Sequence, residues 1–232
     1  MLKEIVKRYI DATTIIVKRD QGGKFTFVAS GFLCSPKGYF ITSAHAIDLA
    51  SSLFIGLPAS TDEFQRETGR TFNFLPLAVA QFDPVNDVAL LKCVDSLSVV
   101  SPAPSVNLGD ERGLPLGSSV GYIGFPFASL GLQTGKVSVS IVSAKALSAN
   151  GTRILQVDSS VNDGNSGGPL IDVSSGKVVG VVAGRYSPSG NTPVAFIGTS
   201  NGMLPLGQES NVSYAVGISY AVELMKVEGI YE

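Results

Sequence analysis

A serine flanked by glycines stands at the centre of GNSGG, residues 164–168. Gly164 lacks a Cβ, so its backbone N–H can turn toward a substrate oxygen. Gly167 and Gly168 let the chain bend sharply and let a substrate come close. Ser166 would then sit on a tight turn with N–H groups beside its hydroxyl, as acyl transfer with an oxyanion hole requires. Asn165 lies between these donors and is expected to shape the turn. Taken alone, the pentapeptide is equally a Gly/Ser-rich turn, so its partners decide. The chain has one histidine, His45, in GYFITSAHAIDLA. Imidazole titrates near neutrality, at about 6.5, so His45 is the candidate histidine base for Ser166. Such a base needs a carboxylate to fix its tautomer and stabilise the imidazolium. QFDPVNDVALLK, residues 81–92, offers Asp83 and Asp87. Asp87 opens the apolar run VALLK, which would hold its carboxylate against the core. Asp83 precedes a proline in a turn and is expected to be solvated. A strand-start cap is the plain alternative for Asp87.

The three residues occur in the order His45, Asp87, Ser166, one of several chain orders in which such triads are found. GNSGG also satisfies G-x-S-x-G, the nucleophile elbow of α/β-hydrolases, but there the histidine follows the serine and strands alternate with helices. Here no histidine follows Ser166. The segment SSGK, residues 174–177, fits the S-x-x-K of a Ser–Lys dyad. The other signatures of that enzyme class are absent.

The elements that must position these residues read as strands. Leu2, Ile5, Val6, Tyr9 and Ile10 recur at helical spacing and predict a short amphipathic helix over 2–11. Beyond it come short β-type runs between turn signals: 13–18, 25–34, 38–43, 53–57, 76–82 and 87–94. A Pro/Ser-rich stretch, 96–118, reads as a connection. A second series follows at 119–125, 135–145, 153–158, 169–173, 177–184 and 211–217. Residues 185–211 read as a long polar loop with one extra strand at 193–198, and 219–227 as a closing helix. About six strands per half, without a 20–50-residue repeat, predict an all-β fold of two six-stranded antiparallel barrels with short terminal helices. We expect one domain over 1–232, with halves 1–100 and 119–232 joined by 101–118.

Composition narrows the function. Hydrophobic residues are 44% and charged residues 16% of the 232, which supplies a large core and excludes a disordered chain. Lys and Arg number 17 against 19 Asp and Glu, so no basic field exists to grip nucleic acid. One histidine and two cysteines, Cys34 and Cys93, are too few for a typical structural zinc site or a disulfide scaffold. Both cysteines sit in apolar runs and are expected as buried free thiols. No apolar run reaches the 18 or more residues of a membrane span. The N-terminal segment is charged throughout and lacks the apolar stretch of a signal peptide, so a cytoplasmic location is the default. A removed leader would make the protein secreted or periplasmic.

With these residues in hand, the chain resembles the trypsin-like (chymotrypsin-fold) serine peptidases, and among them the HtrA/DegP branch. SGFLCSPKGYFITSAHAI (30–47) is similar to the strand–turn–strand that leads to that family's histidine, and NDVALLK (86–92) to its aspartate strand. SVGYIGFPF…GKVS (119–138), QVDSSVNDGNSGGPLID (156–172) and NVSYAV (211–216) match further segments, so the likeness spans about 12–220. Asn165 stands where pancreatic enzymes carry the aspartate that receives a newly cut N-terminus. The resemblance implies an endopeptidase acting on polypeptides, without metal or cofactor. Gly164 and Ser166 would supply the oxyanion N–H groups. The specificity pocket would be walled by Ser160, Val161 and Asn162, by Ala183, Gly184, Arg185 and Tyr186, and by Ser213 and Tyr214. Ser160 at the pocket floor and Val161 in its wall imply cleavage after small or medium aliphatic residues rather than after Lys or Arg. Two other readings stay open: a peptide-binding module with an inactive oxyanion loop, and a protease that cleaves only its own precursor.

Overall fold

Short runs of β-branched and aromatic residues form fourteen strands among the described residues. The computed structural model describes residues 2–57, 72–94, 106–126, 128, 134–159, 161, 164–185, 195–199, 202–206 and 212–231. Helix α1, Leu2–Tyr9, comes first. Strands β1 (Thr13–Arg19), β2 (Phe25–Ser35), β3 (Tyr39–Thr42), β4 (Ser52–Leu57), β5 (Asn73–Asp83) and β6 (Val88–Cys93) follow. They close an antiparallel barrel in the order β1-β2-β3-β6-β5-β4. The second barrel contains β7 (Ser119–Gly124), β8 (Lys136–Leu147), β9 (Arg153–Asp158), β10 (Pro169–Asp172), β11 (Val178–Arg185) and the strand Val212–Gly217. Two further strands, β12 (Ala195–Thr199) and β13 (Gly202–Leu206), pair only with each other, so Val212–Gly217 is β14. The sequence suggested one extra strand here; its partner β13 was not anticipated. Helix α2, Ile218–Val227, closes the fold. Among the described residues no helix is long and apolar enough to cross a membrane.

Side chains alternate across each strand. One set fills each barrel: Ile16, Leu33, Phe40, Ile55 and Leu91 in the first, Val120, Tyr122, Val142, Leu155 and Leu170 in the second. The opposite set meets between the barrels. Phe32, Ile41, Val88 and Leu90 pack there with Ile123, Ile171, Val181 and Val216, and α1 and α2 cover the seam with Ile5, Tyr9, Ile218 and Met225. Strands buried on both faces read as continuous apolar runs, hence VALL in β6 and YFIT in β3. This seam fixes the cleft into which both halves deliver their polar residues.

Two polar ties reinforce the seam. The buried Tyr9 hydroxyl donates to the Gly176 carbonyl at 2.6 Å. Within the connection between the barrels, the Glu111 carboxylate is 1% exposed and receives Arg153 Nε at 2.7 Å, Ser219 Oγ at 2.7 Å and Ser219 N–H at 3.2 Å. Burial alone would raise the Glu111 pKa, but the Ser219 and Arg153 donors outweigh it and hold it below the usual value. The connection read as Pro/Ser-rich thus carries a buried anion at the first turn of α2, where the helix dipole also favours it.

Removing Leu90, fully buried in the seam, should cost about 3 kcal/mol in the Leu90→Ala variant. Urea denaturation measures this, and a loss under about 1 kcal/mol would contradict the packing described.

Candidate active site

The His45 side chain leaves the first barrel just after β3. Apolar Phe40 and Ile41 anchor the strand, then a one-turn 3₁₀ helix, Ala44–Ala46, carries the imidazole out of the sheet. Ser43, fully buried, anchors the turn by donating its hydroxyl to the Val182 carbonyl of the second barrel at 3.0 Å. The imidazole itself is half exposed.

Asp87 precedes β6 with φ of +57°, the left-handed region that aspartate tolerates better than most residues. Its carboxylate meets His45 Nδ1 at 2.8 and 3.0 Å and accepts the His45 backbone N–H at 2.8 Å. The carboxylate therefore fixes both the ring and the turn that bears it. Its hydrogen bond raises the His45 pKa above the ordinary value, partly opposed by desolvation and aided by the Asp87 charge. Asp83 instead caps its own turn, accepting Val85 N–H and Asn86 N–H at 3.0 Å each and Asn86 Nδ2 at 2.7 Å. Thr152, in the β8–β9 hairpin, donates to Asn86 Oδ1 at 2.9 Å and so ties the aspartate turn to the second barrel.

Ser166 rides on a turn before β10. Gly164 has φ of +101° and Gly167 +87°, so both adopt the conformation glycine favours. A Cβ at Gly164 would run into the Phe125 carbonyl, and one at Gly167 into the Ser30 carbonyl and the Thr42 hydroxyl. The turn is held by Gly167 N–H to Val182 O at 2.7 Å, Gly168 N–H to Asn165 O at 3.0 Å and Ser30 N–H to Ser166 O at 2.9 Å. Among the described residues, the N–H groups of Gly164 and Ser166 have no acceptor. The Ser166 hydroxyl donates to the Ala183 carbonyl at 2.9 Å and makes no hydrogen bond to His45.

The residues expected at the pocket are distributed as follows. Val161 is buried with the core of the second barrel, and its N–H donates to Ser213 Oγ at 2.9 Å. Ser213 is fully buried and donates to the Ser159 carbonyl at 2.6 Å, so its hydroxyl holds the wall together. Ala183 and Gly184 lie on β11, whose Arg185 backbone pairs with Ser213. Tyr214 faces a cavity of about 420 Å³ that it shares with Asp87, Asn86, Thr152 and Leu147. Burial and the Asp87 charge push its phenol up. Ser160, Asn162 and Tyr186 lie outside the described residues, as does the side chain of Arg185. Neither Cys34 nor Cys93 is in a disulfide; burial pushes the Cys34 thiol up, and it donates to the Tyr39 carbonyl. The SSGK segment forms the β10–β11 turn, where Ser174 donates to Asp172 at 2.7 Å. No motif marks Ser43, Thr152 or Ser30, which act through the fold.

Residues 29–181 match the trypsin-like peptidase domain family. A DegP-like periplasmic serine endoprotease of Rickettsia conorii is 31% identical over 215 residues, covering 88% of this chain and 38% of the relative. The chloroplastic protease Do-like 1 of Arabidopsis thaliana is 35% identical, covering 69% of this chain and 34% of that protein. The chain thus spans about a third of the length of these relatives. Among solved structures, the HtrA-type protease AlgW with a tripeptide superposes with a TM-score of 0.68 at 22% identity, over 97% of this chain and 62% of the other, a likeness of fold. Two closed barrels, a His–Asp pair on one and a glycine-bounded serine on the other accompany these matches, and the chain belongs to the trypsin-like peptidase domain family.

Proposed function

We propose that this domain is a serine endopeptidase in which His45, Asp87 and Ser166 form the triad. The observation that carries the reading is the His45–Asp87 contact at 2.8 Å, together with a serine turn whose Gly164 and Ser166 N–H groups have no acceptor among the described residues. Ser166 attacks the scissile carbonyl, and His45 takes its proton and returns it to the leaving amine. Asp87 holds the Nδ1–H tautomer and stabilises the imidazolium. The N–H groups of Gly164 and Ser166 receive the developing oxyanion. Water then hydrolyses the acyl-enzyme by the same route. For attack, the Ser166 hydroxyl must rotate from Ala183 toward His45, a short side-chain motion. We read residues 1–232 as one peptidase unit, and the periplasmic names among its relatives favour an extracytoplasmic location. Cleavage after small or medium aliphatic residues remains the proposed specificity, resting on the resemblance that places Ser160 at the pocket floor and Val161 in its wall.

One observation favours a second reading. The Ser166–Ala183 hydrogen bond fits a peptide-binding module that does not turn over. A fluorophosphonate probe separates the two. Labelling of the wild type, absent in Ser166→Ala, supports the enzyme; an unlabelled wild type at pH 8 supports the module.

Neutral His45 is the active base, so activity falls as pH drops through its pKa. Because Asp87 raises that pKa, the acidic limb of kcat/KM should lie above the ordinary 6.5 or so. Asp87→Asn should lower kcat by about 10³–10⁴ and move the limb to lower pH. A limb that stays put in Asp87→Asn would remove Asp87 from this role.

Peptide libraries read by mass spectrometry should show cleavage after Val, Ala or Leu, with modest discrimination of about 1–3 kcal/mol per methylene. Predominant cleavage after Lys or Arg would refute the pocket assignment.

A further inference from the structure

Ser30 lies on β2, fully buried, in the barrel opposite the nucleophile. Each of its polar groups is engaged, and two of them hold the serine turn. Its N–H donates to the Ser166 carbonyl at 2.9 Å. Its hydroxyl donates to the Gly164 carbonyl at 2.6 Å and accepts the Phe125 N–H at 3.0 Å. Its own carbonyl accepts the Thr42 hydroxyl at 2.7 Å, three residues before His45. One residue therefore connects the strand before the histidine, through its carbonyl, with the end of β7 and the Gly164 turn, through its hydroxyl.

The consequence follows from peptide planarity. A carbonyl fixed in direction fixes the plane of its peptide. Ser30 fixes the plane after Gly164 with its hydroxyl and the plane after Ser166 with its N–H. Between them lie Asn165 and the Ser166 N–H. With the Gly164 carbonyl held toward β2, and φ of +101° at Gly164, the N–H groups of Gly164 and Ser166 have no acceptor among the described residues. Without the Ser30 hydroxyl, the Gly164 carbonyl and the Phe125 N–H would both be buried without that partner, a cost that favours turning the peptide elsewhere.

The turn also holds a buried amide. The Asn165 side chain is 1% exposed, yet among the described residues neither its Oδ1 nor its Nδ2 has a hydrogen-bond partner. It is pressed against Gly124, where a Cβ would come within 2.7 Å of Asn165 Oδ1 and 3.2 Å of Ser30 Oγ. A turn that buries an unsatisfied amide is held by its neighbours rather than by its own hydrogen bonds.

We propose that Ser30 is a positioning residue for the oxyanion turn: its hydroxyl, through the Gly164 carbonyl, keeps the Gly164 and Ser166 N–H groups open to substrate. The proposal rests on the peptidase reading above. The role acts in the transition state, where the oxyanion forms, and leaves ground-state peptide binding alone.

The test compares Ser30→Ala with the wild type, whose labelling by fluorophosphonate is established first. The expected result is a fall in kcat of about 10–100-fold with KM within about twofold. Affinity for a peptide aldehyde, whose adduct places an oxygen among these donors, should fall by a similar factor. Affinity of an uncleaved peptide for Ser30→Ala/Ser166→Ala should match that for Ser166→Ala, and the acidic limb set by His45 should not move. All assays run below the melting transition of the variant. If Ser30→Ala does not fold, Ser30→Cys, which keeps the volume but weakens the donor, carries the same expectation. A kcat within twofold of the wild type overturns the proposal, as does a loss shared equally by peptide binding. A wild type that neither labels nor cleaves overturns the peptidase reading, and this proposal with it.

Discussion

The turn bearing Ser166 is wedged between two barrels with no space for a Cβ at Gly167. Everything else in the cleft is arranged around that contact. The Ser30 N–H and carbonyl of β2 meet the Ser166 carbonyl and the Thr42 hydroxyl. The Val182 carbonyl of β11 accepts both the Gly167 N–H and the Ser43 hydroxyl. The histidine segment and the nucleophile turn thus share acceptors, and their separation is set by short hydrogen bonds rather than by flexible side chains. Such sharing is possible only because the seam between the barrels is packed with large apolar residues that exclude competing water.

Charge is handled differently at the two polar centres. Glu111 is almost wholly buried and survives as an anion because an arginine, a hydroxyl and a helix N–H surround it. Such a group costs much to desolvate and stays only when its lone pairs are filled. Its position at the junction of the connection, β9 and α2 makes it a fixed point of the second barrel. Asp87 is less buried and carries fewer donors, and its strained backbone aims it at His45. The first carboxylate organises structure; the second raises the pKa of His45. Strain at Asp87 and an unsatisfied amide at Asn165 both lie within the cleft, where departures from local preference tend to gather.

The cavity behind Asp87 adds a further element to the site. Tyr214 and Asn86 line it beside the carboxylate, and Thr152 joins its aspartate turn to the β8–β9 hairpin. The position of the His45 ring therefore depends on both barrels. Its carboxylate partner comes from the first, but the turn holding that partner is braced by the second.

Much of this molecule was legible before folding. Period-two runs bounded by Gly, Pro and Ser gave the two series of strands, because alternation reports a half-buried sheet whatever the partner strand is. Chemistry pointed to His45 because the chain has a single imidazole, and to Ser166 because three glycines around one serine satisfy few purposes. Asp87 over Asp83 followed from the apolar strand that begins beside it. What the sequence could not supply was long-range pairing. Ser30 reads as an ordinary strand residue, Glu111 as a surface acid in a connection, and Thr152 as a turn residue. Each takes its role from a partner 42 to 134 residues away. The rise in the His45 pKa likewise comes from a 2.8 Å contact with a residue 42 positions along the chain. Residue type and local period are properties of neighbours along the chain, whereas hydrogen-bond direction and burial are properties of neighbours in space. The sequence by itself determined the strands and the candidate triad residues; only the tertiary structure decided how those side chains are held.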